Sequence, residues 1–500
     1  MDLPETIRTS PCVLADAYKL AHHKQYPPNT CWVYSNWTAR YGKYSPTGGE
    51  GVIFFGLQAF LYQLNEHFDK NFFNVARFEA INEFKAFYHE FFGTDDELLY
   101  ERVAALHDLG YLPLRVKALP EGAFVPYGVP MLTICNTDPR FFWLTNFVES
   151  WMSAALWHPC TSATTANAYR KRFDYYADLT GASKDFVSFQ GHDFSFRGME
   201  GIGAACASGA GHLLSFLGTD SLPAIDWIKR YYGPVPEMIG TSVPATEHSV
   251  VCAGGEDGER ETLRRLLVDV YPSGIFSSVS DTWDFWALVT DILPSLKKEI
   301  MARDGKLVIR PDSGDPFKII CGDKDAPFGC PEYYGLVHLL WVTFGGTTNA
   351  AGFRELDSHI GVIYGDSITY ELQGRILEGL KVNGYASSNV VLGVGSYTYQ
   401  LVSRDSHGFA MKATAVGFGD SLEAMEVHPI FKTPKTDSGG KNSAKGLLCV
   451  VLDDDNRFAL EQDVTRDEER LGCLITVYED GALLNRQTFD CIRYMASGQL

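Results

Sequence analysis

The central part of the chain repeats one pattern: a short apolar run, a polar or glycine-containing loop, and then a helical segment. The pattern extends from about residue 185 to about residue 400. The apolar runs that carry it are 186–189, 214–217, 238–239, 275–279, 307–309, 360–363 and 390–392. Strands that alternate with helices form parallel sheets. We therefore predict an irregular, TIM-like α/β barrel over residues 185–400, closed or nearly closed.

The segments on either side of this region have a different pattern. Residues 31–35, 112–118 and 131–136 alternate like strands, and the last hundred residues return to the same alternation. A helical stripe of apolar residues, usually a sign of core packing, is formed by Phe78, Ile81, Phe84, Phe87, Tyr88 and Phe91. We therefore expect a second, α+β domain built from residues 1–184 and 401–500.

Polar side chains collect in the loops that follow the central apolar runs. In parallel α/β barrels, the loops at the carboxyl ends of the strands build the active site. These loops or their neighbours contain Asp193, Asp220, Asp281, Asp312, Asp366, Arg197, Arg310, Arg404, His192 and His248. Arginine binds phosphate oxygens with a planar fork, and aspartate accepts hydrogen bonds from ribose hydroxyls or metal-bound waters. The set predicts a site for a sugar phosphate with Mg²⁺.

Residues 308–314 show this chemistry most compactly, as Val-Ile-Arg-Pro-Asp-Ser-Gly. Arg310 can bind phosphate, Asp312 can bind ribose, and the Ser-Gly pair lets backbone N–H groups approach an anion. A β-turn with a surface Arg–Asp pair is the alternative interpretation. Six equivalent loops elsewhere in the predicted barrel favour the functional one.

Composition narrows the class of function. The net charge of −19, with no long basic run, argues against nonspecific nucleic-acid binding. The 11 cysteines are scattered without a C-x-x-C pair, which indicates reduced thiols in a cytoplasmic protein. The sequence shows neither a signal peptide nor an apolar run of membrane-spanning length. It also contains no nucleophile elbow, Walker A loop or Rossmann fingerprint.

Several motifs together resemble the nicotinamide phosphoribosyltransferases, which are type II phosphoribosyltransferases. The order and spacing match from about residue 10 to about residue 495. The matching segments are 16–19 with 24–30, 192–198, 218–220, 242–249, 280–281, 309–314 and 365–366. The resemblance implies that nicotinamide and phosphoribosyl pyrophosphate give nicotinamide mononucleotide and pyrophosphate, the entry step of a NAD salvage route.

The resemblance also implies residue roles. Phe194 would stack on one face of the pyridine ring and Tyr18 of the partner subunit on the other, so the enzyme would be a homodimer with shared active sites. Asp220 would accept the amide N–H and repel nicotinate. Arg310 and Asp312 would bind pyrophosphate and ribose. The other substrate-binding positions implied are Asp16, Arg197, Ser242, Val243, Ser277, Gly365, Asp366, Ser396 and Arg404.

His248 would be phosphorylated by ATP, with Asp281 as the carboxylate that orients it. ATP hydrolysis would thereby be coupled to substrate binding, with Mg²⁺ as cofactor. A lone histidine after a proline turn is otherwise a capping or core residue. The flanking Glu247 and Ser249 match the family and favour the functional interpretation.

The chain departs from the family in three places. Ser195 and Phe196 stand where many relatives have Gly and Tyr, and Thr246 replaces a common Ala. Residues 393–397 read Gly-Val-Gly-Ser-Tyr where a richer glycine loop is expected, which weakens the phosphate contact assigned to Ser396.

Two alternative functions follow from the same sequence. The first is a nicotinate phosphoribosyltransferase, which Asp220 argues against. The second is a catalytically silent binding protein on the same fold, which the intact Arg197, His248 and Asp312 argue against.

Overall fold

The computed structural model describes residues 9–365, 367–433 and 443–498. The strands found in these ranges are β1 Thr30–Thr38, β2 Gly51–Ile53, β3 Leu114–Ala118, β4 Phe124–Pro126, β5 Pro130–Asn136, β6 Gly191–Asp193, β7 Gly218–Thr219, β8 Ser273–Val279, β9 Asp304–Arg310, β10 Gly346–Thr348, β11 Arg354–Leu356, β12 Ile360–Tyr364, β13 Val390–Val394, β14 Ala410–Phe418, β15 Glu426–Pro429, β16 Leu447–Leu452, β17 Phe458–Val464, β18 Ile475–Glu479 and β19 Ala482–Leu483.

The α-helices of the same ranges are α1 His22–Gln25, α2 Leu57–Phe68, α3 Arg77–Phe92, α4 Glu97–Leu109, α5 Leu144–Phe147, α6 Glu149–Thr180, α7 Lys184–Gln190, α8 Ile202–His212, α9 Leu222–Tyr231, α10 His248–Cys252, α11 Glu259–Arg265, α12 Phe285–Ala287, α13 Leu293–Ser295, α14 Lys297–Met301, α15 Pro316–Cys321, α16 Pro331–Tyr334, α17 Leu336–Phe344, α18 Tyr370–Val382, α19 Ser396–Tyr399, α20 Arg466–Leu471 and α21 Phe489–Ala496. Short 3-10 or π turns lie at Pro11–Val13, Ala17–Ala21, Asp69–Phe73, Pro139–Phe141, Phe196–Gly198, Leu266–Val270, Leu288–Ile292, Ser387–Asn389 and Arg404–Ser406.

The chain divides into two compact units. The first takes its described residues from Met1–Thr164, Asp226–Pro236 and Val402–Leu500, and the second from Thr165–Ile225 and Glu237–Leu401.

The first unit is organised around a seven-stranded sheet in the order β15-β14-β1-β5-β3-β18-β19. All neighbouring strands in it are antiparallel. The predicted strands at 31–35, 112–118 and 131–136 are confirmed as β1, β3 and β5. In the core, the Trp37 ring stacks on Phe409 with ring centroids 4.7 Å apart.

The predicted helical stripe forms α3, but only part of it is core. Ala80, Ile81, Phe84 and Tyr88 are buried on one face of the helix. Phe78, Phe87 and Phe91 are exposed, so this part of the prediction is wrong. Aromatic residues at helical spacing cover a wider arc than the face that packs on the neighbouring α4.

The second unit contains a six-stranded sheet in the order β7-β6-β13-β12-β9-β8. All its neighbouring strands are parallel. The strands are apolar because helices cover the sheet; Leu307, Ile309, Val362 and Leu392 are all buried in one hydrophobic cluster with residues of α17 and α18.

Of the predicted barrel, closed or nearly closed, the structure contains a parallel half-barrel. The barrel is not closed, because the six-stranded sheet ends at the edge strands β7 and β8. The segment 241–245 contacts both edges, but only through single parallel bridges from Thr241 to Gly218 and from Ala245 to Ser277. Pro244 lies within this segment and has no N–H group to donate to a ladder. The segment therefore does not become the strand that would close the sheet.

Four of the seven predicted central strands are confirmed, as β8, β9, β12 and β13. Residues 186–189 instead belong to α7, and the strand β6 follows them directly. Residues 214–217 form a turn before β7, and 238–239 do not form a strand. A short apolar run suits a buried strand, a buried helix or a packed turn, so periodicity alone does not separate these outcomes.

Candidate active site

The parallel sheet of the second unit lines a cavity of about 530 Å³. Residues at or beyond the carboxyl ends of the strands line one part of it, including the predicted site residues Phe194, Asp220, Ser242, Val243, Ser277 and Arg310. Because all strands of the sheet run in the same direction, their carboxyl ends bring these residues to one edge. The structure therefore brings these six predicted residues to one cavity.

Asp220 follows β7 and is held by two hydrogen-bond donors. Its Oδ1 lies 2.9 Å from Nε2 of His192 and accepts a 2.5 Å hydrogen bond from Oγ of Ser242. Partial burial opposes ionisation, but the hydrogen bonds from His192 and Ser242, together with the positive charge of Arg310, outweigh it and lower the pKa of Asp220. The cavity thus contains a fixed carboxylate at neutral pH.

Phe194 follows β6, and its ring forms part of the wall beside Asp220. Its N–H donates to the carbonyl of Val394 at 3.1 Å, which ties the loop to β13. The ring lies 4.5 Å from the His192 ring, at an angle of 35°. A Cβ at Gly393 would come within 2.8 Å of the Phe194 ring, so glycine is required there. Gly393, one of the two glycines in the 393–397 loop, is thus the one that the ring position needs.

Arg310 ends β9 and faces the cavity. Its Nη2 donates to the carbonyl of Thr246 at 2.9 Å, while its Nε is buried without a hydrogen-bond partner among the described residues. Thr246 also accepts the N–H of Val279 through its hydroxyl at 2.9 Å. The departure from alanine at this position therefore adds a contact that ties the 241–246 segment to β8.

Asp281 joins three parts of the site. Its Oδ1 lies 3.2 Å from Nε2 of His248, and its Oδ2 accepts from the N–H of Asp312 at 3.0 Å and from the hydroxyl of Ser313 at 2.5 Å. The Asp281 side chain is only 6% exposed, whereas that of His248 is 46% exposed. One buried carboxylate therefore connects the exposed histidine to the loop after β9.

Gly365 and Ser396 each lie against another predicted site residue or its loop. A Cβ at Gly365 would collide with Oδ1 of Asp312, and a Cβ at Gly198 would collide with Oγ of Ser396. Arg197, Ser396, His248, Asp281 and Asp312 do not line the cavity itself. Asp366 lies outside the described residues.

The remaining predicted site residues belong to the first unit. Ser150 donates its hydroxyl to Oδ2 of Asp16 at 2.6 Å, and the hydroxyl of Tyr18 lies 3.4 Å from the same oxygen. The Tyr18 side chain is 63% exposed. The positive charge of Arg404 acts on the phenol of Tyr18, which places these residues in one neighbourhood.

The sequence analysis did not identify two features of the cavity. The first is the pairing of His192 with Asp220, although both residues stood in the predicted loops. The second is that the cavity continues past Val308 to Lys306 and Glu355, toward the amino ends of the strands. Burial lowers the pKa of Lys306, which the negative charge of Asp357 opposes. The signal in the sequence for this extension of the cavity was Lys306, which directly precedes the apolar run 307–309.

The part of the chain that the structure describes holds no group of three or more His, Cys, Asp or Glu side chains that could bind a metal ion. None of its helices is both long enough and apolar enough to cross a membrane.

Comparison with known families matches both units of the chain. Residues 189–482 match the nicotinate phosphoribosyltransferase (NAPRTase) family, and residues 11–116 match the N-terminal domain of nicotinamide phosphoribosyltransferase. The chain is 46% identical to the nicotinamide phosphoribosyltransferase of Acinetobacter baylyi, over 99% of this chain and 98% of that protein. It is 33% identical to the enzyme of the same name from Mycoplasma pneumoniae, over 87% and 96%.

Two solved structures share the fold at low sequence identity. The nicotinate-nucleotide pyrophosphorylase from Pyrococcus furiosus has a TM-score of 0.57 at 12% identity, covering 97% of this chain and 94% of that one. Human nicotinic acid phosphoribosyltransferase has a TM-score of 0.53 at 16% identity, covering 97% and 93%. With the motifs at the strand ends and the relatives above, these findings show that the chain belongs to the nicotinamide phosphoribosyltransferase family.

Proposed function

We propose that this chain transfers the phosphoribosyl group of phosphoribosyl pyrophosphate to nicotinamide, forming nicotinamide mononucleotide and pyrophosphate for NAD salvage. The observation that carries the proposal is the ionised carboxylate of Asp220, held in the cavity beside the Phe194 ring by His192 and Ser242. A carboxylate accepts hydrogen bonds only, so it complements an amide N–H donor.

The pyridine ring would stack on Phe194, with its amide N–H donating to Oδ2 of Asp220. Nicotinate would instead bring a second carboxylate to the same oxygen. Two like charges at hydrogen-bonding distance repel strongly in a partly desolvated site. This contact favours nicotinamide over the nicotinate activity of the related family.

The phosphoribosyl group would occupy the strand ends next to the ring. Arg310 and Arg197 would bind the pyrophosphate and phosphate oxygens, and Asp312 the ribose hydroxyls. Gly365, Asp366, Ser396 and Arg404 would contribute to binding the mononucleotide, chiefly its phosphate. Ser277 and Val243 would complete the wall near the ring.

The reaction itself needs positioning more than covalent catalysis. The pyridine nitrogen forms a bond to the anomeric carbon as the bond from that carbon to pyrophosphate breaks, through an oxocarbenium-like state. The bonding electrons leave with pyrophosphate, whose charge Arg310 would stabilise. Mg²⁺ would accompany the pyrophosphate, bound mainly by substrate and water.

ATP would act through His248. Asp281 would accept the Nε2–H of this ring, which lies 3.2 Å away, so that Nδ1 keeps its lone pair and attacks the γ-phosphoryl group while ADP leaves. The exposed position of the ring leaves room for the nucleotide. Oδ2 of the same Asp281 accepts hydrogen bonds from Asp312 and Ser313. Phosphorylation of His248 would therefore alter the position of the ribose-binding loop.

A homodimer would complete the site. Tyr18 presents an exposed ring beside Asp16, as a residue that reaches into the partner's site would. The domain built from the chain's flanking segments, residues 1–184 and 401–500, would provide the dimer interface. The 11 cysteines are all free thiols, which supports the predicted cytoplasmic location.

The decisive experiment measures pyrophosphate release with nicotinamide and with nicotinate, each with and without ATP. We expect nicotinamide to be preferred at least 100-fold, and Asp220→Asn to lose most of that preference. Asp269→Asn, an exposed aspartate of the same unit, serves as the control and should behave like the wild type. A wild-type preference for nicotinate would reject the proposed substrate.

His248→Ala tests the coupling to ATP. We expect it to abolish ATP stimulation and leave slow basal turnover, and surviving stimulation would reject the phosphohistidine.

Light scattering tests the dimer, because a fully active monomer would be incompatible with a site shared through Tyr18.

A further inference from the structure

Asp220 does not act as an isolated carboxylate, because one of its two oxygens is already occupied. Both His192 and Ser242 direct their donors at Oδ1, at 2.9 Å and 2.5 Å. Oδ2 is left to meet a ligand. His192 and Asp220 both line the cavity, and the His192 ring also contacts Phe194. Any ligand that stacks on Phe194 and reaches Oδ2 therefore meets this pair as a unit.

The backbone fixes the geometry of the pair. His192 lies in β6 opposite Gly218 of β7, and the N–H of Asp220 donates to the carbonyl of Asp193 at 3.0 Å. The His192 ring packs directly on Gly218, where an added Cβ would lie 2.7 Å from Nδ1. The ring therefore has little freedom to turn away from Asp220, and a glycine at 218 is a condition for the contact.

We propose that His192 is a specificity-determining residue, whose charge state decides how strongly the pocket discriminates an amide from a carboxylate on the pyridine ring. When His192 is neutral, the pair carries the full negative charge of Asp220 and rejects a carboxylate. When His192 is protonated, the pair has no net charge and the penalty for a carboxylate falls. The inference rests on the pyridine position proposed above.

Other charged groups surround the pair. Arg310 acts on Asp220 from β9, His212 on α8 interacts electrostatically with His192, and the carboxylate of Asp193 is next to His192 in the chain. These groups are present whichever pyridine is bound. They therefore act alike on both pyridines and do not replace the change of charge at the contact with Oδ2.

The test is the ratio of kcat/KM for nicotinate to kcat/KM for nicotinamide, measured from about pH 6 to about pH 9, where nicotinate stays ionised and an ordinary histidine titrates. The ratio cancels every ionisation that affects both substrates equally. For the wild type we expect it to rise roughly 10-fold or more as the pH falls through this range. A ratio that stays flat would overturn the proposal.

His192→Gln is the informative variant, because its amide N–H can still donate to Asp220 but cannot gain a charge. We expect its ratio to be independent of pH, whatever its absolute activity. Retention of the wild-type pH dependence would overturn the proposal. Gly218→Ala provides a second test, because its Cβ would displace the His192 ring without removing it. We expect the kcat/KM ratio of this variant to depend less on pH than that of the wild type.

Asp220→Asn separates this inference from the proposed function. Without the carboxylate, the ratio should be high and nearly flat across the pH range. If the wild type turns over neither pyridine at any pH, the proposed function fails. If the wild type uses nicotinamide but its ratio does not depend on pH, only the role of His192 fails.

Discussion

Asp281 is the residue whose alteration most directly tests how the site is connected. Its buried carboxylate accepts from His248 on one oxygen and from Asp312 and Ser313 on the other, at 2.5–3.2 Å. Asp281→Asn preserves the shape of the side chain. It replaces one of the two acceptor atoms with a donor. While His248 keeps the tautomer that protonates Nε2 and leaves Nδ1 free, the amide can satisfy either the histidine or the loop after β9, but not both.

The cost follows from these contacts. A hydrogen bond to a charged group contributes about 1.5–3 kcal/mol, and a buried donor left without a partner adds a penalty of similar size. We therefore expect the variant to lose about 3 kcal/mol from the ATP-coupled state. Since about 1.4 kcal/mol corresponds to a factor of ten, ATP-stimulated turnover should fall roughly 100-fold.

The assay compares initial rates of mononucleotide formation with and without ATP, and the amount of acid-labile phosphate on the protein. Asp284→Asn is a matched control three residues away. The Asp284 side chain caps a helix turn by accepting from the N–H of Ala287 at 2.9 Å, and asparagine caps equally well. We expect this control to match the wild type in both measurements.

Two results would refute the reasoning about Asp281. One is ATP stimulation within about threefold of the wild type in a folded Asp281→Asn protein. The other is an equal loss in Asp284→Asn, which would mean that the loop tolerates no asparagine and that the bridge is not the cause. An unchanged thermal unfolding midpoint in Asp281→Asn would show that the loss reflects function rather than folding.

Two further predictions concern other parts of the chain. Burial raises the pKa of Glu121 to about 7, although the hydrogen bonds that its carboxylate accepts from Gly56, Gln58 and Tyr232 oppose the shift. Because the pKa is higher in the folded state, the stability that Glu121 contributes is complete below its ordinary pKa and is lost as the pH rises through 7. Thermal unfolding should show the wild type losing up to about 3 kcal/mol relative to Glu121→Gln between about pH 4.5 and pH 8; a constant difference would contradict this sign. Gly393→Ala should lower kcat/KM for nicotinamide roughly 10-fold or more, because its Cβ would lie 2.8 Å from both the Phe194 ring and the carbonyl oxygen of Gly365. Wild-type kinetics would show that neither position matters for turnover.

The sequence determined the chemistry of the site and much of the sheet. The carboxylates and arginines stand directly after apolar runs, and the carboxyl ends of parallel strands meet at one edge, so a common site followed from local pattern alone. Strands β8, β9, β12 and β13 were recognisable because each contains a short apolar run followed by a polar loop. The family motifs were equally local, and the family that they indicated is the one that the relatives show.

The tertiary structure decided what depends on partners distant in the chain. His192 and Asp220 are 28 residues apart, and Asp281 meets His248 from 33 residues away. Such contacts depend on which strands become neighbours, and neither composition nor periodicity encodes that order. The same holds for closure of the sheet, because the segment 241–245 makes only single bridges to the edge strands β7 and β8. Local sequence therefore supplied the reactive groups, and long-range packing decided which of them share a hydrogen bond.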